Sequence, residues 1–309
     1  MKDRLIKLLG LFHNRNFILA LALILGIVLG QGAYWTEKLV IPALGFIMTL
    51  STTSITKRLF RSPSTWVAII LASFVLNFIV LGGLMLLLSN VMMLEDPFRS
   101  GFIVLAAVPP AVGVIPFTVF LDGDRDFSLI GTLGSYLASF IVTPLVFFIF
   151  LGSDLAFQTR LLITMFELIL IPLIISRILI HTAIDARIIT LKGTLVNWSF
   201  FLIVYTVVGL NREFFLSQPS TLIPTAVITF VCTFLLGYVI ERAGLFLGIN
   251  PKKVTSMVLL GTSKNAGFAA GLTLALFDKQ SAIPSAINTI FMILYIITLD
   301  LKNTGRKNH

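Results

Sequence analysis

The sequence predicts an all-α integral membrane protein of ten transmembrane helices, arranged as two inverted five-helix repeats in which helices 4 and 9 are broken. Three observations predict it. Of the 309 residues 57% are hydrophobic and only 12% charged, with mean hydropathy +1.00, whereas an ordinary globular chain is roughly 25% charged. The apolar residues gather into ten runs, at about 17–33, 38–56, 66–89, 100–120, 128–151, 160–180, 194–210, 221–240, 254–277 and 281–300, of the length a bilayer-spanning helix requires. Runs four and nine hold the same place in the two halves, and both are interrupted by residues that a regular apolar helix does not contain.

The basic stretch Met1 to Asn16 and the run after it mimic a signal peptide. No small-x-small cleavage site follows and many spans do, so run one reads as the first helix. Gly26 and Gly30 form a small-xxx-small pair, which implies a closely packed neighbour. Run three carries Asn77 at mid-span, an amide that needs partners if buried.

Run four reads Leu105-Ala106-Ala107-Val108-Pro109-Pro110-Ala111-Val112-Gly113-Val114-Ile115-Pro116. Each proline removes a helical hydrogen bond and clashes with the preceding turn. Pro109, Pro110, Gly113 and Pro116 are therefore the expected break. The next loop, Asp122-Gly123-Asp124-Arg125-Asp126, begins like a calcium loop. Its sixth position is Phe127 and its twelfth Leu133, where that loop needs Gly and Glu, so it reads as a solvated turn. Ser128, Thr132 and Ser135 share a face of helix five. With Gly131 and Gly134 nearby, helix packing and a binding role stand as equal readings. Glu167, about seven residues into run six, reads as an interfacial carboxylate or as a coupling group.

Run nine holds Gly261-Thr262-Ser263-Lys264-Asn265-Ala266-Gly267 at its centre. Lys264 is about ten residues from either end, some 15 Å at the helical rise, beyond easy reach of a snorkelling stem. A charge at that depth marks a functional site with a partner or a cavity. Gly261 and Gly267 are the expected points of opening, and Thr262, Ser263, Lys264 and Asn265 the expected polar ligands. The two interruptions lie about 150 residues apart. Five helices per half is odd, so residues 1–152 and 153–309 are expected as inverted repeats of one transporter domain, with the site near the midplane.

Placed on this topology, 17 basic residues fall on the side of the termini and five on the other, Lys264 being the remaining one of 23. The bias puts both termini in the cytoplasm and the protein in the cytoplasmic membrane as a multi-pass chain. The net charge of +9 lies in loops between spans, which argues for a bilayer partner and against nucleic acid. Cys232 is the single cysteine, which excludes an intrachain disulfide and a Cys-cluster metal site. His13, His181 and His309 sit at span ends or in tails. No His–Ser dyad or His–carboxylate metal set forms within the membrane, so no enzyme, cofactor or metal is expected. A channel or a ligand sensor is the alternative from another class; the sensor is disfavoured by the lack of a long soluble segment.

These residues resemble the bile acid:sodium symporter family over nearly the whole chain. Ala43-Leu44-Gly45-Phe46-Ile47-Met48 looks like its helix-two Leu-Gly-x-x-Met signature. Pro109-Pro110 stands where the family has Pro-Gly. Leu121-Asp122-Gly123-Asp124 with Ser128 and Thr132 looks like its helix four-to-five turn and helix-five hydroxyls. Lys264-Asn265-Ala266-Gly267-Phe268-Ala269-Ala270 looks like its Gln-Asn-Ser-Gly-Leu-Ala motif, and Asn77 stands near its helix-three Gln. The resemblance implies a secondary transporter with crossing helices 4 and 9, a panel of helices 1, 2, 6 and 7, and a six-helix core that moves against it.

The family's sodium chemistry carries over only in part. Leu260 stands where sodium-coupled members have Glu, Lys264 where they have Gln, and Val114 and Ile115 where they have Ser-Asn. Sodium needs oxygen ligands; Ser128, Thr132, Asn77 and Asn265 remain. The expectation is a sodium-independent carrier in which Lys264 replaces a bound cation, working as a facilitator, or coupled to protons if Lys264 titrates. A sodium symporter is the alternative. The substrate is expected to be a small organic anion or amphipathic acid, drawn by half-helix N-termini and a positive charge. Arsenite- and auxin-type carriers share the broken-helix architecture, though Cys232 offers no cysteine-based arsenite site near the breaks.

Overall fold

Prolines, glycines and mid-span polar residues cut the apolar sequence into shorter helices. The computed structural model describes residues 15–53, 63–92, 94–111, 113–152, 159, 162–163, 166–180, 185–217 and 219–307. The basic residues before Arg15, Lys57, Arg58, Arg61, Arg160, and the histidines His13, His181 and His309 lie outside these.

Helices in chain order are α1 (Arg15–Val28), α2 (Val40–Thr52), α3 (Pro63–Phe74), α4 (Gly83–Val91), α5 (Asp96–Ala107), α6 (Val114–Phe120), α7 (Arg125–Leu151), α8 (Ile171–Ile180), α9 (Asp185–Leu210), α10 (Pro219–Phe230), α11 (Leu236–Phe246), α12 (Pro251–Thr262), α13 (Ala266–Leu276) and α14 (Ile283–Lys307). Among the described residues there is no strand, only one isolated bridge between Pro110 and Lys264. Wider π-type turns join α3 to α4 over Val75–Gly82 and α10 to α11 over Val231–Leu235. Such turns cluster at functional sites, and period counting does not register them.

Ten uninterrupted spans are not what the described residues form. Trp66–Val91, Arg125–Leu151, Leu191–Leu210, Leu222–Phe246 and Lys279–Lys302 are each long and apolar enough to cross a membrane. Phe17–Val28 and Gly30–Leu50 form a pair bent by 93°. Runs four and nine are each two half-helices, α5 with α6 and α12 with α13. The apolar helices and their exposed apolar flanks are those of a multi-pass membrane protein.

The chain divides into two compact units, each taking segments from both sequence halves. One holds Met1–Ser54 and Ile163–Pro219, the runs one, two, six and seven. In it α9 packs on α1 and α2. A Cβ on Gly26 would lie 2.9 Å from Val208 Cβ, and one on Gly30 2.9 Å from Gly209 Cα. The small pair thus admits α9. At the bend Tyr205 donates to the Leu29 carbonyl at 2.8 Å, and the hydroxyls of Thr36 and Thr206 meet at 2.6 Å. Lipid would leave such freed groups unsatisfied. Glu167 is exposed, beside Thr49 and Pro172 on a largely apolar cavity of about 570 Å³.

The other unit holds Ile55–Leu162 and Ser220–His309. Here α3 packs on α7, α11 on α12, and α14 on α5 and α13. Ser73 donates to the Gly131 carbonyl at 3.0 Å and meets the Ser135 hydroxyl at 2.8 Å, so Ser135 belongs to the α3–α7 packing. Asp124 caps α7 by accepting from Phe127 N at 3.0 Å. Asp122 pairs with Lys252 at 2.8 Å, both side chains about 60% exposed, as a solvated turn permits.

Candidate functional site

The two broken runs meet inside the second unit. Val108 is extended where α5 ends, and Ser263 where α12 ends. The two extended pieces pair as an antiparallel bridge. Ala111 N donates to the Ser263 carbonyl and Asn265 N to the Pro109 carbonyl, both at 3.0 Å. Each break thus satisfies backbone groups of the other, which membrane depth demands.

Proline chemistry places the first break. Pro109 and Pro110 follow the last turn of α5, and Gly113 is the residue before α6. Three expected break residues lie elsewhere. Pro116 falls in the first turn of α6, where no helical N–H partner is needed and proline is tolerated. Gly261 is still within α12 and Gly267 within α13. The second opening is at Ser263, Lys264 and Asn265, because polar groups there capture the backbone. A Cβ on Gly261 would lie 2.6 Å from Ile240 Cδ1, so this glycine serves close packing.

Lys264 is fully buried. Its Nζ donates to Asn77 Oδ1 at 2.9 Å, to the Ala106 carbonyl at 2.8 Å and to the Val108 carbonyl at 2.9 Å. The Phe78 ring covers another side, its centroid 4.8 Å from Nζ. An ammonium has three N–H donors, so every one is used and the charge faces a π surface. Thr143 Oγ1 donates to the Ala107 carbonyl at 2.9 Å. The carbonyls left open at the end of α5 are thereby closed by two side chains.

Asn77 works in both directions. Its Oδ1 accepts from Lys264, and its Nδ2 donates at 2.9 Å to the Leu260 carbonyl near the end of α12. Two half-helix C-termini, those of α5 and α12, therefore converge on this amide–ammonium pair. Each C-terminus carries about half a negative charge, so together they offer about one unit, the charge of a single cation.

The other expected site residues spread around this centre. Asn265 Oδ1 accepts from Phe268 N at 3.0 Å and caps α13, while its Nδ2 donates to Tyr136 Oη at 2.6 Å. The α13 N-terminus is thus occupied by its own cap. Thr262 Oγ1 donates to the Val258 carbonyl at 2.7 Å. Ser263 contributes its backbone to the bridge. Ser128 accepts from Thr118 Oγ1 at 2.6 Å. Thr132 Oγ1 is buried with no hydrogen-bond partner among the described residues.

Two polar residues of α14 escaped the sequence reading. Asn288 is 1% exposed, and among the described residues neither its Oδ1 nor its Nδ2 has a partner; the buried Ser285 hydroxyl lacks one there too. Met292, one turn beyond Asn288, shares a buried cluster with Ala111, Val114 and Leu260. The amide therefore lies one turn from side chains of the crossing. An Asn in the middle of run ten was the available signal. Among the described residues no group of three or more His, Cys, Asp or Glu side chains is placed to hold a metal.

Residues 38–217 match the model of the sodium bile acid symporter family, more than half of the chain. The matched span includes Asn77, the first break and the helix-five hydroxyls, and ends before Lys264. No curated protein matches the sequence. Members of this family are secondary transporters rather than enzymes, and the paired broken helices are the architecture such transporters use. With its all-helical, multi-pass chain and its family-matched segment carrying the first break, this protein belongs to the sodium bile acid symporter family.

Proposed function

We propose that this protein carries a small organic anion or amphipathic acid across the cytoplasmic membrane by alternating access, without sodium, and that the Lys264 ammonium is a tethered replacement for a bound cation. One observation carries this reading. The fully buried Lys264 Nζ spends all three protons on Asn77, Ala106 and Val108, at the converging ends of α5 and α12. A mobile cation placed there would meet those same oxygens. A covalently held one neutralises the half-helices in every conformation, so translocation needs no ion to arrive or leave.

The same geometry limits what Lys264 does for substrate. With no donor to spare, it acts on an anion through its charge rather than by contact. Direct recognition then falls to groups that are buried and unpartnered, foremost Asn288 and Ser285. In this reading residues 1–152 and 153–309 are inverted repeats, and both termini are cytoplasmic. The unit of Met1–Ser54 and Ile163–Pro219 is the panel, and the other unit the moving core. Thr132 favours the alternative of sodium coupling, since its buried Oγ1 has no partner.

Thermal stability in detergent decides between them. Wild type and Lys264→Gln are melted in sodium and in choline chloride. The expected result is a wild type indifferent to sodium and a variant that gains a sodium-dependent shift. Sodium stabilisation of the wild type would sink the tethered-cation reading. Counterflow exchange in proteoliposomes separates a carrier from a channel, because only an alternating carrier shows it.

A further inference from the structure

In the second unit, Arg99 forms no ion pair among the described residues. Arg99 sits in the first turn of α5, whose N-terminus carries no side-chain cap. A helix start presents about half a positive charge, so a guanidinium there is poorly placed unless an anion joins it. Glu95 and Asp96, four and three residues earlier, are at helical pairing distance. Both are exposed, and among the described residues neither forms an ion pair with Arg99. Arg99 instead lines a cavity of about 370 Å³ with Ser89, Asn90, Leu87, Ile103 and Phe150.

The lining has two chemistries. Ser89 is buried and its hydroxyl serves the Leu86 carbonyl at 3.0 Å, which leaves Arg99 and the exposed Asn90 as the polar groups free to bind. The rest of the lining is largely apolar, and Leu87 and Phe150 are 58% and 43% exposed. Depth matters too. Helix α4 ends at Val91, α5 begins at Asp96 and α7 ends at Leu151. Trp66–Val91 and Arg125–Leu151 are of spanning length, and segments of that length end where hydrocarbon gives way to headgroups. Arg99 lines this cavity together with the Asn90 amide.

We propose that this cavity binds an anionic glycerophospholipid. The phosphate takes the Arg99 guanidinium and the Asn90 amide, and an acyl chain lies along Leu87 and Phe150. The planar guanidinium fork fits a phosphate with two parallel hydrogen bonds, which an ammonium cannot do.

The test uses the full chain purified in a neutral detergent, with equimolar phosphatidylglycerol and phosphatidylcholine added, read by native mass spectrometry. Wild type is expected to retain phosphatidylglycerol about fivefold over phosphatidylcholine, the effect of one basic side chain near an anionic lipid. Arg99→Gln is expected to lose that preference and Arg99→Lys to keep part of it. Leu87→Trp, which fills the acyl wall and leaves Arg99 in place, is expected to lower lipid occupancy; it carries the test alone if Arg99→Gln does not fold. No preference in the wild type, full preference in Arg99→Gln, or unchanged occupancy in Leu87→Trp overturns the site. Displacement of phosphatidylglycerol by inorganic phosphate overturns the lipid assignment in favour of a free anion.

Discussion

Asn77 and Lys264, 187 residues apart, share a hydrogen bond of 2.9 Å inside the second unit. The amide's other end holds the Leu260 carbonyl at 2.9 Å. A single Asn thus ties the wide turn after α3 to the ends of both half-helices. The pair should behave as a unit. Lys264→Met leaves the Ala106 and Val108 carbonyls and the Asn77 oxygen without a donor, at about 1–3 kcal/mol for each buried group. It should lower the melting temperature well below that of Lys264→Gln, which keeps an amide donor. Combining Lys264→Gln with Asn77→Leu should give a non-additive change, with about 1–3 kcal/mol of coupling. Simple additivity would mean the two residues act separately.

Two adjacent glycines test how closely the cation's acceptors are held. A Cβ on Gly82 would lie 2.8 Å from the Ala106 carbonyl oxygen, which Lys264 uses, whereas nothing lies within 4 Å of one on Gly83. Gly82→Ala should cost about 1–3 kcal/mol, the range of overpacking, and depress uptake. Gly83→Ala should be neutral, or stabilising by up to about 1 kcal/mol through helix propensity. Thermal melts of both variants beside wild type suffice. Equal effects would show that the contact with Ala106 is not what the glycine protects.

The cap on α13 has its own signature. Asn265→Ala removes the acceptor for Phe268 N and the donor to Tyr136, and should cost about 1–2 kcal/mol. Asn265→Ser keeps a capping oxygen and should recover about half of that loss. Tyr136→Phe leaves Nδ2 without its acceptor and should match the remaining half. A Ser variant no better than Ala would place the contribution of Asn265 elsewhere than the cap.

Asn288 should separate stability from activity. An unpaired buried amide costs about 1–3 kcal/mol, so Asn288→Leu should raise the melting temperature while lowering carboxylate uptake into proteoliposomes. Residues that break local rules are expected at functional sites. A variant that loses stability instead would show that the amide has a structural partner in the membrane-embedded protein.

A residue is legible in the sequence when its effect acts on its own stretch of chain, and hidden when it depends on neighbours brought in by folding. Lys264 stands out because a charge in the middle of an apolar run lies beyond the easy reach of a snorkelling stem. Pro109-Pro110 announced the first break because proline acts on its own chain. Gly261, Gly267 and Pro116 misled for the complementary reason. Glycine permits a break without requiring one, and proline is harmless in a first turn, so each continues its helix once neighbours supply the packing.

By itself, the sequence determined the membrane class, the fact that runs four and nine are interrupted, and the presence of a deep cation, since each follows from local composition and backbone chemistry. Only the tertiary structure decided what that cation touches. The carbonyls of Ala106 and Val108 and the Phe78 ring are partners of no particular residue type, and sequence carries no mark of a backbone oxygen left open at a helix end. Tertiary packing likewise decided that Asn288 stays unpartnered while Asn77 and Asn265 are engaged. Three asparagines look alike in a sequence; they differ by which helix ends come within 3 Å of them.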